Sequence, residues 1–135
     1  MIKMKKHLLS IMLSVILTAC ISEQKTNNFE LSGSEKFKKQ DYRGALMDFD
    51  KHIEQNPKDT CAYVYRASAK AMLNDYKGSL IDNSKAIELD STSQLALYNR
   101  ALDKTELEDN QGAINDLTTL INLKPDNLSE IYQKR

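Results

Sequence analysis

Apolar residues return at three- and four-residue steps through the middle of the chain: Val64, Ala67, Ala71 and Met72 make one such row, and Leu80, Ser84 and Ile87 another. That spacing puts apolar side chains on one face of a helix, so both halves of the segment 60–93 are expected to be amphipathic helices. The pattern then repeats without a gap. Asp41, Asp75 and Asp109 stand 34 residues apart, as do Gly44, Gly78 and Gly112, and Asp48, Asp82 and Asp116. A fixed period of this length marks an array of helical units, each able to bury its apolar face only against its neighbours. The expected fold class is therefore all-α: an α-α superhelix of about three helix-turn-helix repeats.

Asp41, Asp75 and Asp109 each precede an apolar-periodic run. A short carboxylate there accepts hydrogen bonds from the unpaired amides of a new helix and complements its dipole, so these are expected helix starts. Small residues at Ala45, Ala67, Ser79, Ala86, Ala101 and Ala113 let paired helices approach closely, while Phe49, Tyr63 and Tyr76 fill the gaps between them. The recurring glycines near each second-helix start cost up to about 1 kcal/mol apiece against alanine. Their repetition implies close packing at those points.

The motif resembles the tetratricopeptide repeat, a 34-residue helical hairpin with a Leu-Gly pair, a Tyr, an A-x3-F step and a late Pro. Residues 26–59 match at Gly33, Phe37, Tyr42, Ala45, Phe49 and Pro57. Residues 60–93 match at Tyr63, Ala67, Tyr76, Ser79 and Ala86, and residues 94–127 at Leu97, Ala101, Ala113 and Pro125. The resemblance implies a solenoid of three such repeats, with residues 128–135 forming a short C-terminal capping helix through Leu128, Ile131 and Tyr132. It also implies a concave groove lined by the first helix of each unit. Val64, Ser68, Met72, Leu95, Tyr98 and Leu102 are the expected groove residues, suited to an amphipathic or extended peptide with Tyr98 as anchor; the alternative for each is burial between helices. Some relatives grip acidic chaperone tails with a clamp of lysines, an arginine and asparagines. This chain has Glu30, Ser34, Tyr65, Leu95 and Asn99 at those positions, and only Asn99 fits, which disfavours that partner.

The amino terminus has a separate logic. Met1 to His7 is cationic, Leu8 to Leu17 is apolar but for Ser10 and Ser14, and Leu17-Thr18-Ala19-Cys20 closes the run. This is the layout of a secretory signal peptide, residues 1–19. A ten-residue apolar helix rises only about 15 Å against a bilayer core of about 30 Å, so a permanent span is not expected. The closing four residues resemble the lipobox of bacterial lipoproteins, which implies cleavage before Cys20 and acylation of that cysteine. Multiple acyl chains anchor lastingly, at about 0.8 kcal/mol per buried methylene. Residues 20–26 would then be the lipidated cysteine and a tether of roughly 15 Å. Ile21, rather than an aspartate, favours the outer membrane where the cell has one. With Cys20 acylated, a disulfide within the mature chain is excluded, and Cys61 is expected on a half-buried helix surface.

The 135-residue chain is 41% hydrophobic and 28% charged, which fits one small globular domain. Its formal net charge is zero; Lys3, Lys5 and Lys6 are three of its 19 basic residues, so the rest carries 16 against 19 acidic. A mildly acidic body gives no footprint for a nucleic-acid backbone. Lys36, Lys38, Lys39 and Arg43 make a local basic cluster, read as a solvated face or as a contact for anionic headgroups near the tether. His52 has no second imidazole or thiol pair at ligand spacing, so a metal or catalytic role is not expected. With no phosphate loop, nucleophile triad or cofactor motif, an enzyme is disfavoured. The sequence therefore leads to a non-enzymatic, lipid-anchored envelope adaptor holding a protein or peptide, with no cofactor, metal or small-molecule substrate. A self-associating structural protein and the accessory lobe of an envelope enzyme are the alternatives.

Overall fold

The computed structural model describes residues 28–123. The signal peptide, Cys20, the tether and the capping helix lie outside them.

Among the described residues six helices follow one another: α1 (Asn28–Lys38), α2 (Tyr42–Gln55), α3 (Thr60–Met72), α4 (Tyr76–Leu89), α5 (Gln94–Glu106) and α6 (Asn110–Asn122). Among the described residues there is no strand, and no helix is long and apolar enough to cross a membrane. Each helix packs on the next, and α3 also touches both α1 and α5. The first helices of the three hairpins thus stand side by side.

The chain reverses within each hairpin by one device used three times. Gln40, Asn74 and Glu108 take left-handed φ values of 64°, 65° and 67°. The following amide then reaches back to the preceding helix: Asp41 N–H donates to Lys36 C=O at 2.9 Å, Asp75 to Lys70 at 2.9 Å and Asp109 to Lys104 at 2.8 Å. This closure satisfies carbonyls that a helix end would otherwise leave open. The same aspartates start the next helix, as the sequence predicts, accepting from the Gly44, Gly78 and Gly112 amides at 2.9 Å each. The repeated glycines have a specific reason. A Cβ at Gly44, Gly78 or Gly112 would lie 2.1, 2.1 or 2.0 Å from the capping carboxylate, so a side chain there would oblige the aspartate to turn out of its capping position.

The small residues are buried as expected, with Ala45, Ala67 and Ala86 fully inaccessible. Ala86 joins Ile53, Val64, Tyr63, Ala62 and Ala96 in one core cluster, and Ala45, Phe49 and Tyr65 form another. Gly33 is needed because the fully buried Phe49 ring occupies its side: a Cβ there would come within 2.8 Å of that ring. One and two periods on, smaller Asn83 and Leu117 replace the phenyl, and Ala67 and Ala101 stand where the glycine was.

A second device crosses each hairpin. The buried carboxylates Asp48, Asp82 and Asp116 on the second helices receive cations from the first: Lys36 at 2.7 Å, Arg66 and Lys70 each at 2.7 Å, and Arg100 and Lys104 at 2.6 and 2.9 Å. In the first hairpin Ser32 stands where the arginine is elsewhere and donates to Asp48 at 2.6 Å. Burial pushes the Asp116 carboxyl up, but hydrogen bonds from Arg100 and Lys104 outweigh it and hold the group below its ordinary value. Asp48 is likewise lowered: burial works against it, and Lys36 and Ser32 prevail. Lys36 is thereby drawn out of the basic cluster read from the sequence. Arg66 also pairs with Asp50 of the preceding hairpin at 2.7 Å, tying the first unit to the second.

Cys61 is half-buried as expected, but it is disulfide-bonded, which corrects the expectation of no bridge. The other half of that bridge lies outside the described residues.

Candidate functional site

The expected groove residues come from α3 and α5, the neighbouring first helices. Val64 and Ser68 are each 3% exposed and face inward: Val64 sits in the core cluster, and the Ser68 hydroxyl donates to Val64 C=O at 2.9 Å while accepting from Asn99 Nδ2 at 3.3 Å. Leu95 is half-buried against the same cluster. Met72 and Tyr98 are also half-buried, and Leu102 is exposed. Of the six, Met72, Tyr98 and Leu102 are therefore the ones that reach solvent most clear of the core cluster, while Val64 and Ser68 are buried between helices.

Two polar clusters lie between the hairpins. At the second junction, Asp103 of α5 is 2% exposed and accepts from Ser79 Oγ at 2.7 Å and Asn83 Nδ2 at 2.9 Å on α4. Burial dominates here. It raises the Asp103 carboxyl to about 6, against the two hydrogen bonds and with help from the Asp75 charge. The Asn83 carbonyl oxygen is buried with no hydrogen-bond partner.

At the first junction, the His52 ring meets Asp59 through Nε2 at 2.7 Å, with Glu30 alongside. His52 is buried because it occupies the position held by the fully inaccessible Ala86 one period later. Asp59 caps α3, its other oxygen accepting from the Cys61 and Ala62 amides at 3.0 and 3.3 Å. Burial first, and then the Asp59 charge, raise the Glu30 carboxyl above its ordinary value, with His52 opposing. These three side chains are the described residues placed to ligate a metal. The sequence did not reveal the set, because Glu30 and Asp59 stand 22 and seven positions from His52 on separate elements. Only the capping role of Asp59 had a local signal, an acid just before an apolar-periodic run.

A tetratricopeptide domain of yeast Sti1, described as TPR2B in complex with pHsp70, is 26% identical and superposes with a TM-score of 0.71, covering 75% of this chain and 81% of that one. The chain has the tetratricopeptide-repeat fold. The second such domain of human RPAP3, in complex with the HSP70 peptide SGPTIEEVD, is 25% identical with a TM-score of 0.70, over 73% of this chain and 82% of that one. The Arabidopsis OM64 domain shares 21% identity and a TM-score of 0.70, over 79% and 89% of the two chains. No family model matches the sequence, and no curated protein matches it.

Proposed function

We propose that this protein is a lipid-anchored, non-enzymatic adaptor of the bacterial cell envelope, in the outer membrane where one exists, that holds a protein or peptide partner against its α3–α5 wall. The observation that carries the reading is the combination of a tetratricopeptide stack with a part-exposed apolar strip of Met72, Tyr98 and Leu102 on its first helices. An aromatic anchor beside aliphatic contacts suits an extended or amphipathic segment. The solved relatives bound to chaperone peptides support peptide capture as a use of this fold. An acidic tail is a poor match here, because the Glu30 carboxylate stands where such a tail requires a cation.

Anchoring rests on the lipobox-like Leu17-Thr18-Ala19-Cys20. The chain has two cysteines, and a thioether uses up the Cys20 sulfur, so an anchored chain cannot also bridge Cys20 to Cys61. Mass spectrometry of protein extracted from membranes without reductant decides between the two. For the partner, pull-down from detergent-solubilised membranes should recover a protein that is lost with Tyr98→Ala plus Leu102→Ala. Recovery of nothing sensitive to that pair sinks the adaptor reading.

One observation favours the second reading, self-association through the end of the array. Ile114, Leu117 and Ile121 on α6 are 55%, 38% and 56% exposed on the last described helix. Sedimentation of the soluble form beginning at Ser22 should show a concentration-dependent mass if these residues meet another copy.

A further inference from the structure

We propose that Glu30, His52 and Asp59 bind a single divalent transition-metal ion, of which Zn2+ is the natural probe, and that this ion pins the first helical hairpin to the second. The three residues come from three places: the first turn of α1, the last turn of α2, and the residue that caps α3. One potential ligand atom from each lies within 4.8 Å of the others. Around a tetrahedral ion with bonds of about 2.0–2.1 Å, ligand atoms stand about 3.4 Å apart, so the widest separation must close by up to about 1.4 Å, while the 2.7 Å contact of His52 Nε2 with Asp59 opens by about 0.7 Å as the ion takes the place of its hydrogen bond. Side-chain rotation supplies a movement of that size.

A second, independent feature points to a missing ligand. The Tyr65 hydroxyl, on a side chain 3% exposed, is buried with no hydrogen-bond partner. Buried polar atoms are rarely left so. The Glu30 and Asp59 carboxylates both act on the Tyr65 phenol, so its hydroxyl is available to donate to a carboxylate or a metal-bound water. A cation is the species that relieves the crowding of the two carboxylates.

The donor set selects the kind of ion. One imidazole and two carboxylates suit a borderline transition metal, whereas Ca2+ and Mg2+ prefer six or more oxygens. Asp59 is already oriented for the task. One of its oxygens is held by the Cys61 and Ala62 amides while the other faces His52, the kind of outer support that fixes a ligating carboxylate. Since Glu30 and His52 belong to the first hairpin and Asp59 begins the second, ion binding is coupled to stacking of the two.

The test is calorimetric titration of the full chain with ZnCl2 after chelator dialysis, with thermal unfolding across a range of Zn2+ concentrations. One ion per chain is expected, with Tm rising as free Zn2+ rises. Glu30→Gln and Asp59→Asn should each weaken binding by more than about 100-fold, since even outer-shell partners cost about 10–100-fold. Asparagine still caps a helix, so Asp59→Asn keeps that contact. Asp103→Asn, at the other junction, should leave the affinity unchanged. If a variant fails to fold, paramagnetic Co2+ on the unaltered chain gives the answer by NMR: the His52, Glu30, Asp59 and Tyr65 signals should broaden first. Absence of saturable binding, affinity that survives Glu30→Gln and Asp59→Asn, or first broadening elsewhere overturns the proposal.

Discussion

Replacing Asp103 by asparagine should make the protein more stable at neutral pH. The carboxyl is 2% exposed, receives two neutral hydrogen bonds and meets no cation among the ion pairs of the described residues, so burial raises it to about 6 from an ordinary 3.8. A group raised in this way is stabilising while protonated. Its contribution is complete below about pH 4 and is lost as pH rises through about 6, because the folded chain must then hold a buried charge. The gap between those two values corresponds to about 3 kcal/mol at high pH. Asparagine removes the charge and gives back part of the benefit because hydrogen bonds to a neutral oxygen are weaker. The net gain expected at pH 8 is about 1–2 kcal/mol. Urea unfolding of variant and parent from pH 4 to pH 8 isolates the effect, since other titrating groups cancel in the difference. The difference should grow steadily between pH 4 and pH 7. A difference that stays flat, or that favours the parent at pH 8, refutes the reasoning.

Three further outcomes are expected. Gly33→Ala should destabilise by about 1–3 kcal/mol in chemical unfolding, because its Cβ would come within 2.8 Å of the fully buried Phe49 ring; shrinking the ring with Phe49→Leu should relieve the added penalty of the alanine. Glu108→Gly should raise stability by about 0.5–1 kcal/mol, as a left-handed φ of 67° is costly for a residue with a Cβ and free for glycine, less the greater freedom glycine has when unfolded. Cys20→Ala should abolish acylation and move the protein from the membrane to the soluble fraction, with an unshifted intact mass as the sign that no acyl chain was present on the parent.

The fold was legible because the same physical problem is solved three times at one spacing. The helix starts at Asp41, Asp75 and Asp109, and the buried small residues, follow from local chemistry that a single chain displays. Asp48, Asp82 and Asp116 were visible as a repeat without a role, since their cations sit 12 to 16 positions away on the partner helix. The glycine row was attributed to packing, whereas the steric demand comes from a capping carboxylate three residues back. The groove was harder. Helical spacing places Val64, Ser68, Met72, Leu95, Tyr98 and Leu102 on the inner side of their helices, but spacing alone does not separate a residue wedged between neighbours, such as Val64, from one reaching solvent, such as Leu102. The junction clusters around His52 and Asp103 were invisible, because each forms from side chains that only stacking brings together. Cys61 shows the same limit.

A protein partner held on the first-helix wall is what the proposed function most requires. A photocrosslinking residue placed at Leu102, in full-length protein in living cells, reports on that wall, and the same residue at Ile81, 65% exposed on the second helix of the middle hairpin, serves as its control. The prediction is a defined protein adduct from Leu102 that is absent from Ile81 and is lost when Tyr98→Ala is added. No adduct from Leu102, or the same adduct from Ile81, contradicts it.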